Sequence, residues 1–282
     1  MCVVSAVGQV LHTLPEGKDV WGVTSLDNLL YVFRNKSSQQ ISVYDTHSYR
    51  LQRRINVPTP GVMADMIACA YNYCLYISGG SDKCVRRVAL RDVDVHVTKW
   101  PVNDVSGRLS VTDTHSVLVM CYQVRKIKEF TTHGKLLRQI ELPQDVVSPQ
   151  HTIQLSSVEF IVCHGDITDP VSLHRVCLVG SDGHVVKSYG GPRSSGSQQM
   201  NAPLHMAVDR NGFIFVVYLH NQRVLLLSPA LTYVREVVSR EQLNWTPLRM
   251  FLDDDRRRLY VAENQWDGDN YTAAGRVIVF SV

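Results

Sequence analysis

An all-β ring of six four-stranded sheets, closed by a strand from the N-terminus, is the fold class this sequence predicts. Three observations predict it. A β-rich triplet recurs six times at near-even spacing, a hairpin signal precedes each copy, and the last unit is one strand short while a matching strand stands at residues 8–14. Such a repeat length suits the blade of a β-propeller.

The triplets are Leu30-Tyr31-Val32, Leu75-Tyr76-Ile77, Val117-Leu118-Val119, Phe160-Ile161-Val162, Ile214-Phe215-Val216 and Leu259-Tyr260-Val261. Their central residues lie 45, 42, 43, 54 and 45 positions apart, and the long interval falls where residues 190–199 (GGPRSSGSQQ) supply a polar loop. About ten residues before each triplet stands another apolar segment, for example Met206-Ala207-Val208, joined to it by turn residues such as Asp27-Asn28, Asp113-Thr114 or residues 209–212. This is a hairpin signal, repeated.

A third strand is predicted in every unit, among them residues 41–44, 127–130 and 277–280, and a fourth in five units, among them 135–140 and 233–238. The sixth unit ends at Val282 after three strands, which would leave an unpaired sheet edge. The heptad 8–14 (GQVLHTL) matches the fourth-strand pattern at 134–140 (GKLLRQI) and closes the ring. The expected layout is therefore one propeller over residues 1–282, its N-terminal strand at about 3–14 and its blades beginning near 20, 64, 108, 151, 204 and 248. No amphipathic helix of useful length competes with this reading.

Charge excludes a global field for polyanions: 29 Lys+Arg against 26 Asp+Glu leave a net charge of +3, so binding to nucleic acid would need a local patch. Seven cysteines, an odd number without CxxC spacing, predict free thiols in a reducing compartment. Residues 1–14 lack the basic and continuous apolar regions of a signal peptide, and no apolar run is long enough to span a membrane. A cytoplasmic location is the expectation. The sequons at Asn35, Asn244 and Asn270 then read as chance matches. No GxSxG occurs, and the glycine pairs Gly79-Gly80 and Gly190-Gly191 precede no helix that would hold a phosphate. Residues 253–258 (DDDRRR) read as a self-neutralising turn.

Residues 202–216 (APLHMAVDRNGFIFV) resemble the opening of an NHL repeat, and residues 219–224 (LHNQRV) resemble its central motif. A basic residue before the third strand recurs at Lys126, Arg175, Arg223 and Arg276, as in that family. The whole chain, read as six units, is similar to the C-terminal propeller of TRIM-NHL proteins, without their RING, B-box and coiled coil. The resemblance implies a module that binds protein or RNA on the face carrying the loops into the first strand and out of the second. It implies no catalysis and no ubiquitin-ligase activity in these residues.

The chain departs from the family where a glycine usually enters the first strand. The aligned positions are Trp21, Asp65, Arg108, His151, His205 and Arg249, with Asp65 expected to face His205 and Arg108 to face Arg249. A second ring is expected at the ends of the second strands: Arg34, Gly79, Cys121 with the adjacent Tyr122, His164, Tyr218 and Glu263. Together these would line a polar funnel, either a site or a solvated channel whose polar groups bind water.

Two functional readings follow. The first is a non-enzymatic recognition propeller that takes protein or RNA on the funnel face. Lys36, Lys83, Arg125, Lys126 and Arg223, beside Arg34 and Arg108, would meet phosphates, and Tyr122, Tyr218 and Trp21 would stack on unpaired bases. Asp166, Asp169, Glu263, Asp267 and Asp269 divide the potential of that face. The second reading is a lyase, hydrolase or isomerase acting on a small anionic substrate in the channel. His151, His205, Asp65 and Tyr218 would be its acid–base groups, with Arg108 and Arg249 holding the anion and Trp21, Arg34, Tyr122, His164 and Glu263 lining the site. No cofactor is expected. The alternative is a divalent metal on His151, His164 and His205, similar in geometry to the peptide-amidating lyase propellers, without HxxxH or HExxH spacing to support it.

Overall fold

A computed structural model describes residues 7–34, 40–57, 63–79, 82–91, 95–166, 168–169, 171–193, 200–266 and 271–282. Cys2, Asn35, Lys36, Asp267, Asp269, Asn270 and residues 194–199 of the long loop lie outside the described residues.

The chain folds into six antiparallel four-stranded sheets arranged as blades. The N-terminal strand β1 (Val10–Thr13) belongs to the last of them. Blade one comprises β2 (Val20–Leu26), β3 (Leu29–Arg34), β4 (Gln40–Asp45) and β5 (Leu51–Asn56). Blade two follows with β6 (Met63–Cys69), β7 (Cys74–Gly79), β8 (Cys84–Ala89) and β9 (Val97–Pro101), and blade three with β10 (Leu109–Val111), β11 (Val117–Cys121), β12 (Lys126–Phe130) and β13 (Leu136–Glu141). Blade four is β14 (Pro149–Gln154), β15 (Glu159–His164), β16 (Leu173–Gly180) and β17 (Val185–Pro192). Blade five is β18 (Pro203–Val208), β19 (Ile214–Tyr218), β20 (Arg223–Leu227) and β21 (Tyr233–Val238). Blade six has β22 (Thr246–Asp253), β23 (Arg258–Trp266) and β24 (Tyr271–Ser281), with β1 as its outer strand. Among the described residues the helical content is one 3-10 turn, Arg240–Gln242, and no helix is long and apolar enough to cross a membrane.

The apolar triplets form because the second strand of each blade is buried on both faces. In β3, Tyr31 and Phe33 pack toward blade two, while Leu30 and Val32 pack toward blade six. The same alternation gives six apolar clusters, one for each pair of neighbouring blades. A strand with two buried faces reads as a continuous apolar run, which is the signal the triplets carry. Outer strands instead face water: Leu11, Leu137 and Val186 are exposed on β1, β13 and β17.

Closure is a backbone matter. β1 pairs antiparallel with β24 in the register Val10↔Phe280, His12↔Val279 and Thr13↔Ile278, with a bulge between Val10 and His12. Gly8 donates its N–H to the Val237 carbonyl (2.7 Å), and a Cβ at Gly8 would meet the Ser281 carbonyl oxygen at 2.6 Å. That close approach explains why glycine leads this strand.

Candidate functional site at the axis and its mouth

Five of the six inner strands carry a β-bulge at the same place, between Val20 and Gly22, Met63 and Asp65, Pro149 and His151, Pro203 and His205, and Pro247 and Arg249. A bulge inserts one unpaired residue and re-aims its neighbours. The inserted residues are Trp21, Ala64, Gln150, Leu204 and Leu248, and the ring residue follows each. This corrects blade one: its ring residue is Gly22, paired with Phe33, and Trp21 occupies the bulge. No larger side chain fits there, since a Cβ on Gly22 would lie 2.7 Å from that of Met66. The other five ring residues stand as aligned.

Four of those five are sealed from solvent. Asp65, His151, His205 and Arg249 are only 3%, 2%, 7% and 4% exposed. Asp65 is the hub: its Oδ1 accepts from Arg249 Nε (3.1 Å), its Oδ2 accepts the Leu109 N–H (2.9 Å), and His205 Nε2 lies 3.8 Å from Oδ2. The imidazoles of His151 and His205 stack at 4.2 Å between centroids. His151 Nδ1 accepts the Met206 N–H (3.1 Å), so Nε2 carries the proton and donates it to the Leu109 carbonyl (3.1 Å).

The pattern has a simple cause. Inner strands are sheet edges with unpaired backbone groups, and buried groups of that kind must find partners. Asp65 caps the residue after the ring position of blade three, and His151 does the same for blade five.

Burial alone would raise the carboxyl of Asp65, but the contact with His205 and the charge of Arg249 outweigh it and hold it below its ordinary value. Burial pushes His151 well below the imidazole range, helped by the neighbouring His205. Burial also lowers His205, against the pull of Asp65. Burial thus favours the neutral form of both imidazoles. Asp65, His151 and His205 bring one ligand atom each to within 4.8 Å of one another, the spacing a metal ion would need. Yet the His151 lone pair is committed to a backbone amide, and a guanidinium already occupies the carboxylate. A cation there would have to displace both. His164, the third expected ligand, is not in this group.

The second ring departs further from expectation. Blades stand radially, so second-strand side chains point at neighbouring blades and not at the axis. Tyr218 and Cys121 are fully buried in the clusters between blades four and five and between blades two and three. Among the described residues the Tyr218 hydroxyl has no hydrogen-bond partner, and burial raises its pKa well above the usual value. His164, also fully buried, accepts from Arg175 Nε (3.2 Å). Glu263 accepts the N–H groups of Asn244 (3.1 Å) and Trp245 (3.0 Å) and the Arg276 Nε (2.5 Å), clamping the entry to blade six. Arg34 donates to the carbonyls of Pro15, Lys18 and Gly275 (3.0, 3.0 and 2.9 Å), across the closing seam. These second-ring side chains make structural contacts between and within blades and do not line a funnel.

Of the basic set, Lys126 pairs with Glu141 (2.8 Å) and Arg223 with Glu236 (3.4 Å), each within its own blade. Arg125 is partly buried, and Lys83 is exposed in a turn at φ 52°. Lys36 lies outside the described residues.

Above the sealed axis lies a pocket of about 120 Å³ lined by Trp21, Arg108, Gln150, Leu204, Leu248 and Arg249, among others. Arg108 is partly buried and donates to Gln150 Oε1 (2.6 Å). Leu204 and Leu248 join Ala202 and Leu219 in a small apolar cluster at this mouth. Sequence reading missed Gln150, Leu204 and Leu248, although each directly precedes a ring residue. Around the mouth, loops of blades three and four expose Tyr122 (37%), Val124 (40%) and Val171 (81%).

No family model matches the chain, and no curated protein matches it. Solved structures do share the fold. Hydrazine synthase of Kuenenia stuttgartiensis aligns at a TM-score of 0.64 and 12% identity over 100% of this chain and 99% of that one. Virginiamycin B lyase from Staphylococcus aureus aligns at 0.62 and 11%, over 95% and 88%. The Cps50 (Swd1) propeller domain of Myceliophteria thermophila aligns at 0.63 and 9%, over 98% and 99%. At such identities the likeness concerns the fold, a six-bladed β-propeller.

Proposed function

We propose that this chain is an NHL-like recognition propeller that binds a protein partner on the face holding the mouth pocket. The single observation that carries the reading is the contrast between axis and mouth. At the axis every polar group of Asp65 and His151 is spent on structure, whereas the mouth above it is concave, apolar-walled and flanked by exposed Tyr122, Val124 and Val171. Exposed apolar side chains around a concave site suit a protein surface. The pairing of Lys126 and Arg223 inside their blades argues for protein over RNA.

Three of the four acid–base candidates weigh against the enzymatic reading. His151 is locked in one neutral tautomer, Tyr218 is sealed between blades, and Asp65 is held by Arg249. The test is selection of a peptide library against the full chain and against a Tyr122→Ala/Val171→Asp variant, with binding of mixed-sequence single-stranded RNA measured at low salt. Peptides retained by the parent chain and lost by the variant are expected, with no RNA binding. RNA binding that weakens steeply with salt, without peptide binding, would refute the reading.

A further inference from the structure

We propose that Cys69 and Cys74 form a redox site, a thiol pair at the tip of the β6–β7 hairpin that a hydroperoxide oxidises to a disulfide and a thiol reductant restores. The site stands apart from the mouth pocket and does not depend on the recognition role.

Register carries the inference. Cys69 and Cys74 are direct antiparallel partners, joined by a turn at residues 70–73 in which the Tyr73 N–H donates to the Ala70 carbonyl (3.2 Å). Opposed residues of such a ladder share a face and have Cα atoms roughly 4.5–5.5 Å apart, inside the roughly 4.4–6.8 Å that a disulfide spans. Both side chains enter the same cluster between blades two and three. The other described cysteines face different residues. Cys84 is opposed by Gly79 and Pro101, Cys121 by Lys126, Cys163 by His151 and Val176, and Cys177 by Val162 and Ser188. All of them, Cys69 and Cys74 included, are free thiols.

The surroundings select Cys69 as the attacking sulfur. Its Sγ accepts from Asn72 Nδ2 (3.4 Å), and the Cys74 thiol and the Asn72 amide lower its pKa below the ordinary thiol value, against burial. Burial instead raises the thiols of Cys121, Cys163 and Cys177. The thiolate is the nucleophile, so Cys69 reacts first. Cys69 is only 2% exposed, but Asn72 above it is partly exposed and the neighbouring Tyr71 is 70% exposed, so one turn separates the sulfur from solvent.

In the first step the Cys69 thiolate attacks a peroxide oxygen: an S–O bond forms, the O–O bond breaks, and the departing oxygen takes up a proton. The Cys74 sulfur then attacks the sulfenic sulfur of Cys69. The S–S bond forms, the S–O bond breaks, and the Cys74 proton leaves with the hydroxyl as water. Two thiols are oxidised and one hydroperoxide is reduced.

Cleavage after Arg54 and Lys83 yields one tryptic peptide, 55–83, that carries these two cysteines and no other. The reduced full chain is treated with hydrogen peroxide, quenched with N-ethylmaleimide and mapped by mass spectrometry. Peptide 55–83 is expected to lose both alkylations together and to become lighter by two hydrogens, before the peptides of Cys121, Cys163 and Cys177 change. Dithiothreitol should restore both alkylations. Cys74→Ser should stop at a Cys69 sulfenic acid that dimedone traps, and Cys69→Ser should leave Cys74 reduced. Where a variant's urea midpoint falls below that of the parent chain, the map of the parent chain decides. A peptide 55–83 that keeps both alkylations, or loses them no sooner than the other buried cysteines, overturns the site. Oxidation of Cys74 at the parent rate in a folded Cys69→Ser chain overturns it as well.

Discussion

The axis and the closing seam hold the same ring together by different means. At the axis the partners are ionisable side chains from four blades, gathered on Asp65. At the seam between blades six and one they are backbone groups and neutral or permanently charged side chains. Asn264 accepts the Val20 N–H (2.7 Å) and donates to the Val20 carbonyl (3.0 Å), Gly17 and Gly275 exchange both backbone bonds, and Arg34 spans three carbonyls. The axis should therefore respond to charge and pH, and the seam to loss of individual hydrogen bonds.

The largest effect is expected at Asp65. Asp65→Ala leaves Arg249 buried without its carboxylate and the Leu109 N–H without an acceptor, at a cost of about 3–5 kcal/mol. Urea denaturation should show it as a fall in global stability. A loss below about 1 kcal/mol would mean that the axis contributes little and would erase the contrast with the seam.

Acid comes next. His151, His205 and His164 all have folded pKa values below the unfolded one, His164 at about 4. The unfolded chain then binds protons that the folded chain refuses, so stability is full above pH 6.5 and falls as pH drops toward the folded values. For His164 alone, where burial and then Arg175 lower the imidazole, the loss is on the order of 3 kcal/mol. Melting temperatures measured from pH 7 to pH 4 should decline. A flat profile across that range would contradict neutral buried imidazoles.

Asn264→Ala is expected to cost roughly 2 kcal/mol, from the two Val20 backbone groups it strands. Its signature is local: amide exchange should accelerate in β1 and at Val20 before it does in β11 or β15. Uniform acceleration would show that seam and axis open as one unit.

The two regions also differ in how far sequence could reach them. Repeat spacing located every blade, because a strand buried on both faces must be apolar throughout and the hairpin turns announce themselves. It also located Asp65, Arg108, His151, His205 and Arg249 at one level of the ring. It failed at Trp21, where a single inserted residue shifts the register and puts Gly22 at the ring position. It failed again at Tyr218, Cys121, His164 and Glu263, because the repeat tells where the second strand ends and not which way its side chains point. Arg34 and Glu263 stand at strand ends where the repeat suggests ligand groups, yet Arg34 donates to loop carbonyls and Glu263 accepts two loop N–H groups besides the Arg276 side chain, and no local pattern brings those loops near them.

By itself the sequence determined the number of blades, their strands and the terminal strand that closes them, since these follow from hydrophobic periodicity and turn chemistry along the chain. Tertiary structure alone decided that the polar ring is a sealed, charge-bearing plug under a small apolar mouth. Burial, bulge register and contacts across the ring, such as Arg249 with Asp65 at a separation of 184 residues, set which side chains meet. Such meetings arise from closing the ring, so they are written in no stretch of it.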